Sequence, residues 1–190
     1  MVLLDGAVYQ ITADGQVAIV ENEQTLTPFA CVTFYHPISH DELDQELTYD
    51  AFLGWLVRLL PSPNLFYALR IEGEFASVKA RSVTKQGENY RPLVEVAQEQ
   101  ALFQFDNVSG TLVGFFTPTF MASLNVPGLH LHFLSGDLCS GGHLLECRPR
   151  KVRVGVQFIR RLELTLPLSL DYLSWDFQRD TRQDLDQAER

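Results

Sequence analysis

The chain has 190 residues, of which 46% are hydrophobic and 21% are charged, and its formal net charge is -9. It is long enough to bury a substantial core, and its acidic balance argues against nucleic acid or an anionic membrane as the main partner, because both require a positive field. No apolar run reaches the roughly 18 residues of a membrane span, and Asp5 follows directly after Met1-Val2-Leu3-Leu4, so we expect neither a membrane span nor a signal peptide.

The first predicted elements are strands. Residues 8–12 and 17–20 flank an Asp-Gly pair, which predicts a β-hairpin. The apolar run at residues 29–35 lies between Pro28 and Pro37, and it predicts a buried strand.

Between residues 41 and 60 the apolar residues recur every three or four positions, which is typical of a helix. Acidic residues come early in this segment and Arg58 comes late, as the helix dipole favours. We therefore predict one helix, or two short ones, ending before Pro61.

Residues 65–72 and 76–83 predict two strands joined around Gly73. Alternation in the second strand places Arg81 on the face opposite Ala80. Residues 92–100 have helical composition and predict about two helical turns.

The rest of the chain is predicted to be mainly strand. Residues 101–105 and 111–116 predict two strands around a turn, and residues 147–161 alternate in part. Residues 162–170 have a leucine at every second position, whereas the composition beyond Trp175 is that of a solvated tail.

These elements predict a strand-dominated α+β fold, in which a mixed β-sheet packs with one or two helices and a β-barrel-like half carries a histidine hairpin. We expect residues 1–190 to form a single unit. Its approximate halves are residues 1–105, a mixed sheet with a helix, and residues 106–190, a metal-binding β half with a C-terminal tail.

Residues 125–143 contain three histidines whose spacing is typical of a metal site: His130, His132 and His143. Successive side chains of a strand point to opposite faces, so His130 and His132 share one face while Leu131 and Phe133 face the core. If residues 135–138 form a tight hairpin turn, His143 lies opposite His130 and Gly141 lies opposite His132.

Three imidazoles on one face could reach a single ion at bond lengths of about 2.0–2.1 Å. Three neutral nitrogens and an open position suit a catalytic zinc, although other first-row metals share this preference. Gly141 and Gly142 would leave bare backbone where a ligand can approach closely. The alternative is that these three histidines have structural roles and share this spacing by chance. A structural or surface role is the simpler interpretation for His36 and His40.

Several other site types are absent from the sequence. It has no Gly-rich phosphate loop and no G-x-S-x-G nucleophile motif. Cupins follow their His-x-His pair with a glutamate, where this chain has Gly136 and Asp137. The three cysteines, Cys31, Cys139 and Cys147, form no C-x-x-C pair, so we expect a reducing, cytoplasmic location.

The sequence resembles the α-acetolactate decarboxylase family over nearly its whole length. The resemblance is carried, in order, by LDGAVYQI, TPFACVTFY, FYALRIEGEFASVKARSV, YRPLVEV, GTLVGFFTP, NVPGLHLHF and GGHLLEC. It implies a zinc lyase acting as a homodimer, with an N-terminal mixed sheet and a barrel-like β-domain that carries the metal. The implied reaction converts 2-acetolactate to (R)-acetoin and carbon dioxide.

The resemblance also implies roles for individual residues. His130, His132 and His143 match the metal ligands, Arg81 in VKARSV matches an active-site arginine, and Glu189 matches a glutamate close to the C-terminus. On this hypothesis Zn²⁺ acts as a Lewis acid and electron sink for the enediolate left when carbon dioxide departs. Arg81 would hold the substrate carboxylate, and Glu189 would bind the metal or move a proton while the tail folds over the site.

The family carries a further active-site glutamate just before the segment that matches LLDGAVYQI. Met1 falls directly after that position, so we expect an N-terminally shortened family member. It could be an active zinc-dependent carboxy-lyase, a catalytically impaired metal-binding member, or a chain whose true start lies upstream. A cupin-like or hydratase-like three-histidine metalloenzyme is a further alternative.

Overall fold

The computed structural model describes residues 1–21, 25, 27, 29–83 and 100–174. Within these residues the strands form a three-stranded sheet and a five-stranded sheet. The strands are β1 Val2–Leu4, β2 Ala7–Ile11, β3 Val17–Ile19, β4 Ser39–Leu43, β5 Phe66–Ser82, β6 Ala101–Thr117, β7 Gly128–Ser135 and β8 Gly141–Ile159. The helices are α1 Tyr49–Leu59, a 3₁₀ turn at Thr119–Met121 and α2 Leu170–Ser174.

Strands β5 to β8 close into a small antiparallel barrel. Their order in the sheet is β8-β5-β6-β7, and β7 pairs back onto β8. Strand β8 shares its second edge between two partners, because β7 pairs with residues 141–143 and β4 pairs with residues 152–156. The predicted strand-dominated α+β class is confirmed, although every pairing among the described strands is antiparallel rather than mixed.

Helix α1 supplies apolar side chains to the barrel core. Phe52 and Leu56 are fully buried together with Phe133 and other strand residues. Thr48 caps the helix by accepting a hydrogen bond from the backbone N–H of Ala51. The predicted helix end before Pro61 is confirmed, but its predicted start was wrong, because residues 39–43 form β4 against β8.

The three-stranded sheet confirms the predicted hairpin and adds a strand. Strands β2 and β3 pair around the loop at Gly15, whose φ is +81°. Strand β1 was not predicted, and it joins β2 through Asp5 and Gly6, both with positive φ, as a tight Asp-Gly hairpin requires.

The predicted breaks within β5 and β6 were wrong, because each is a continuous strand of 17 residues. Gly73 has a φ of +149°, and a Cβ there would lie 2.1 Å from the carbonyl oxygen of Lys151. This glycine therefore permits close strand packing rather than a turn. Asn107, with a φ of +50°, lies where the β5–β6 register skips a pair.

Two predicted strands are not strands in the structure. Residues 29–35 run outside the sheets with Phe34 90% exposed, and residues 160–169 are irregular with Leu168 91% exposed. Neither segment pairs with a strand among the described residues. Local alternation produces a strand only where a partner strand pairs with it.

Two further predictions fall outside the described residues: nearly all of the helix at residues 92–100, and the tail beyond residue 174. None of the described helices is both long and apolar enough to cross a membrane.

Candidate metal centre

The three histidines come from two neighbouring strands of the barrel. His130 and His132 lie on β7, and His143 follows the Gly-Gly pair that opens β8. His143 pairs directly with His132 on one side and with Arg81 of β5 on the other. Paired residues of a ladder project to the same face, so the three imidazoles and the guanidinium share the outer face of the barrel.

The predicted register of the hairpin was wrong by two residues, because His143 pairs with His132 rather than with His130. The connection is a four-residue loop closed by the Ser135 N–H, which donates to the Ser140 carbonyl at 2.9 Å. Asp137 stabilises the loop by accepting from the Ser135 hydroxyl at 2.6 Å and from the Cys139 N–H at 3.0 Å. A shift of two residues keeps every side chain on its face, so the expected convergence of the histidines survives.

The imidazoles are close enough to share one ion. A ring nitrogen from each of His130, His132 and His143 lies within 4.8 Å of the others. The ring centroids are 4.8 to 5.2 Å apart. Nitrogens bound to one tetrahedral zinc lie about 3.4 Å apart, so small side-chain rotations bring the three into range.

The electrostatics of the site favour neutral imidazoles. Burial lowers the pKa of His130 to about 4, that of His132 to about 3 and that of His143 to about 2, and the positive charge of Arg81 adds to the effect in all three. A neutral imidazole is the form that binds a metal. The three side chains therefore fit a divalent cation such as zinc without first losing a proton.

Arg81 lies beside the histidines, as expected, and is only 6% exposed. Its Nη1 donates to the Gln100 side-chain oxygen at 2.8 Å. Gln100 was not predicted as a site residue, since only the β5–β6 pairing brings it near Arg81. Glu189, the other predicted catalytic residue, lies outside the described residues.

The three-stranded sheet covers one end of this outer face. Leu134, two positions beyond His132, is buried against Val2 and Tyr9. A bidentate ion pair between Arg70 and Asp5, with a shortest distance of 2.7 Å, ties the same sheet to the barrel. Ligands must therefore reach the histidines from another direction.

The Gly-Gly pair does not provide that opening, which corrects the prediction of bare backbone at Gly141 and Gly142. Both residues are buried. A Cβ on Gly142 would lie 2.8 Å from the Ala80 Cβ and 2.8 Å from the Arg81 carbonyl oxygen. The missing side chains make room for neighbouring strands, not for a ligand.

The opening lies where β7 and β8 separate. Their pairing stops at His132 and His143, and beyond it a cavity of about 430 Å³ lies between the strands. We call this cavity the β7–β8 cleft. It is lined by Tyr49, Lys79, Val126, Leu129, His130, Leu131, His143, Leu144, Leu145 and Glu146.

Two lining residues were not predicted to approach the site. Strict alternation places Glu146 on the face opposite His143, but the register of β5 and β8 shifts between Lys79 and Ala80, and Glu146 pairs with Lys79. Tyr49 arrives from α1, and no local pattern in the sequence signals that contact.

Comparisons with known proteins agree with the motifs. The family model for alpha-acetolactate decarboxylase matches residues 1–179. The chain is 38% identical to the alpha-acetolactate decarboxylase of Methanosarcina mazei over 190 residues, and 36% identical to that of Brevibacillus brevis over 189 residues. Each match covers 100% of this chain but 66% of the relative, so the chain spans slightly less than two thirds of the length of these relatives.

Solved structures show the same fold. Acetolactate decarboxylase from Bacillus subtilis subspecies spizizenii superposes with a TM-score of 0.93 at 36% identity, covering 97% of this chain and 80% of the other. A Staphylococcus aureus protein described as similar to alpha-acetolactate decarboxylase superposes with a TM-score of 0.89 at 24% identity, covering 97% and 78%, which supports the fold alone. The chain belongs to the alpha-acetolactate decarboxylase family.

Proposed function

We propose that the protein is a zinc-dependent carboxy-lyase that converts 2-acetolactate to (R)-acetoin and carbon dioxide. The observation that carries the proposal is the convergence of His130, His132 and His143 beside the buried Arg81, in a chain whose curated relatives are named alpha-acetolactate decarboxylase. We also propose that all 190 residues act as one unit, since the five-stranded sheet uses strands from both predicted halves.

The three imidazoles would hold the zinc ion. When bound, zinc would supply Lewis-acid stabilisation of the negative charge that develops as carbon dioxide leaves. The histidines would present neutral nitrogens from a rigid β-ladder. His132 and His143 are direct cross-strand partners in that ladder.

Arg81 would bind the carboxylate that is lost. A guanidinium stays protonated and binds a carboxylate through two parallel hydrogen bonds. The Gln100 side chain, which accepts from Nη1 of Arg81, would help to fix the orientation of the guanidinium. In the reaction the bond between the carboxylate carbon and C2 breaks, its electron pair moves toward the former ketone oxygen, and C2 then takes up one proton.

Glu189 is our candidate for delivering that proton or for binding the metal. Deletion of residues 186–190 tests this role directly. We expect slower acetoin formation, weaker zinc binding, or both. Unchanged turnover and unchanged zinc affinity would remove Glu189 from the mechanism.

The function itself is tested by measuring acetoin from racemic 2-acetolactate, before and after zinc removal by a chelator. We expect activity that is lost with the metal and restored when zinc is added back. Activity that survives complete metal removal would contradict the mechanism. One equivalent of bound zinc without acetoin would instead support a catalytically impaired metal-binding family member.

We also propose that the protein is a homodimer that associates through an apolar strip. The strip consists of Phe29, Val32, Phe34, Ile38, Leu162, Leu164, Leu166, Leu168, Leu170 and Leu173, all of which are exposed. Exposed apolar side chains that group together mark interaction sites, and we propose that these two segments group at the dimer interface.

Light scattering on Leu164→Glu and Leu168→Glu variants tests the dimer. We expect both substitutions to shift a dimer toward monomer, whereas Ile19→Glu, at an exposed position on β3, leaves the dimer intact. A monomeric parent protein, or equal behaviour of all three variants, would contradict this interface. A cytoplasmic location is proposed as well, which the free state of Cys31, Cys139 and Cys147 supports.

A further inference from the structure

The β7–β8 cleft and Arg81 lie on opposite sides of strand β8. Arg81 pairs with His143 along the edge of β8 that faces β5. The cleft opens along the other edge, where β7 separates from β8. His143 stands between them, so a molecule centred on the imidazoles can extend one end toward Arg81 and the other into the cleft.

The chemistry of the cleft differs from that of the arginine side. Beyond the imidazoles of His130 and His143, its lining is largely aliphatic: Val126, Leu129, Leu131, Leu144 and Leu145. Tyr49 adds an aromatic ring, and burial raises the pKa of its phenol to about 12, so the ring stays uncharged. The charged residues of the lining, Lys79 and Glu146, are both exposed, and they lie opposite each other in the register of β5 and β8. The interior of the cleft therefore suits alkyl groups rather than a second carboxylate.

We propose that the β7–β8 cleft receives the alkyl substituents of a 2-alkyl-2-hydroxy-3-oxo acid, and that Tyr49 and Val126 limit their length. This inference rests on the proposed function, which supplies the substrate class. The volume of about 430 Å³ is within the ~300–1,000 Å³ range of ligand pockets, and it exceeds what the two methyl groups of acetolactate need. Tyr49 and Val126 reach the cleft from α1 and from the segment before β7, so neither interrupts the histidine ladder.

The test compares 2-acetolactate with an analogue that carries a butyl group at C2. The measured quantity is the ratio of kcat/KM for the butyl substrate to kcat/KM for acetolactate. We expect Val126→Phe, which fills the cleft, to lower this ratio by at least ~10-fold, since a single methylene in an apolar pocket changes selectivity by about 10-fold to 200-fold. We expect Tyr49→Ala, which enlarges the cleft, to raise the ratio by a similar factor.

Val57→Phe is the matched control, because it also replaces valine by phenylalanine. Val57 lies on α1, is 45% exposed and does not line the cleft. We expect it to leave the ratio unchanged. Thermal melts and zinc content show that each variant is folded and loaded. If Val126→Phe and Tyr49→Ala are both folded and loaded and neither changes the ratio, the proposal is overturned.

A binding measurement separates this inference from the proposed function. The probes are 2,3-dihydroxy-2-methylbutanoate and its 2-butyl counterpart, which cannot decarboxylate as oxo acids do, titrated into zinc-loaded protein by calorimetry. We expect Val126→Phe to weaken binding of the butyl probe selectively. If the parent protein forms no acetoin but shows this selective loss, the function fails and the cleft stands. If the parent protein binds neither probe, the cleft proposal fails.

Discussion

Gly142→Ala tests whether the close packing of β8 against β5 positions His143. Gly142 precedes His143, and a Cβ at this position would lie 2.8 Å from the Ala80 Cβ, 2.8 Å from the Arg81 carbonyl oxygen and 3.2 Å from the Arg81 nitrogen. These atoms belong to the short Ala80 side chain and to the backbone of β5, and none is the end of a flexible side chain that could rotate away. The methyl group must therefore push β8 away from β5.

The size of the effect follows from this overpacking. Forcing an extra carbon into a packed interior costs about 1–3 kcal/mol of unfolding free energy, which corresponds to a melting temperature lower by roughly 2–12 °C for a chain of this length. Because the same displacement moves His143 relative to His132, we expect the zinc dissociation constant to rise by about 10-fold to 100-fold, as for changes that misorient a metal ligand.

Thermal unfolding of the metal-free protein and competitive zinc titration measure the two effects separately. Gly136→Ala is the control, since Gly136 lies exposed in the loop of the same hairpin and its added Cβ meets Ser109 at 3.3 Å as the nearest contact. We expect Gly136→Ala to change either quantity far less. If Gly142→Ala left stability and zinc affinity unchanged and raised only the KM, the glycine would serve substrate access, and the packing argument would be refuted.

Three further outcomes follow from the structure. Thr48→Ala should lower the unfolding free energy by about 0.5–1 kcal/mol in a denaturant titration. This is the lower part of the range for helix caps, because the hydrogen bond from the Ala51 N–H to the Thr48 hydroxyl is long at 3.4 Å. Thr48→Ser should retain most of the stability. Phe133→Ala should cost about 3–5 kcal/mol, since the ring is fully buried, and a loss below about 1 kcal/mol would contradict the assigned core. In a thiol assay on the native protein, the exposed Cys31 and Cys139 should react. Cys147 should react only after unfolding, because burial raises the pKa of its thiol to about 12. Three equally fast thiols would refute this.

The histidine site was predictable from sequence because its signal is local. The spacing of His130 and His132 places both on one strand face whatever the partner strand is. The third histidine follows after a short loop, and any even error in the register leaves it on the same face. The actual error was two residues, caused by the Asp137-stabilised loop, and it changed the pairing without separating the three histidines.

The features that sequence did not predict depend on distant contacts. Gly142 looked like open backbone, but its environment is set by Ala80 and Arg81, some 60 positions away along the chain. Tyr49 reaches the cleft because α1 packs on the barrel, and no periodicity encodes which side chain then lines a gap between two strands. Alternation in residues 162–170 predicted a strand, but the segment pairs with none of the described strands, and local alternation does not encode pairing with a distant partner.

We predict that His130, His132 and His143 together hold one zinc ion that the reaction requires. The most direct measurement is zinc content by elemental analysis, together with acetoin formation. The variants are His130→Ala, His132→Ala, His143→Ala and, as a control, His40→Ala at an exposed position on β4. We predict about one zinc per chain and full activity in the parent and in His40→Ala, and loss of both in the other three variants. Stoichiometric zinc in any of the three variants, with undiminished acetoin formation, would contradict the account.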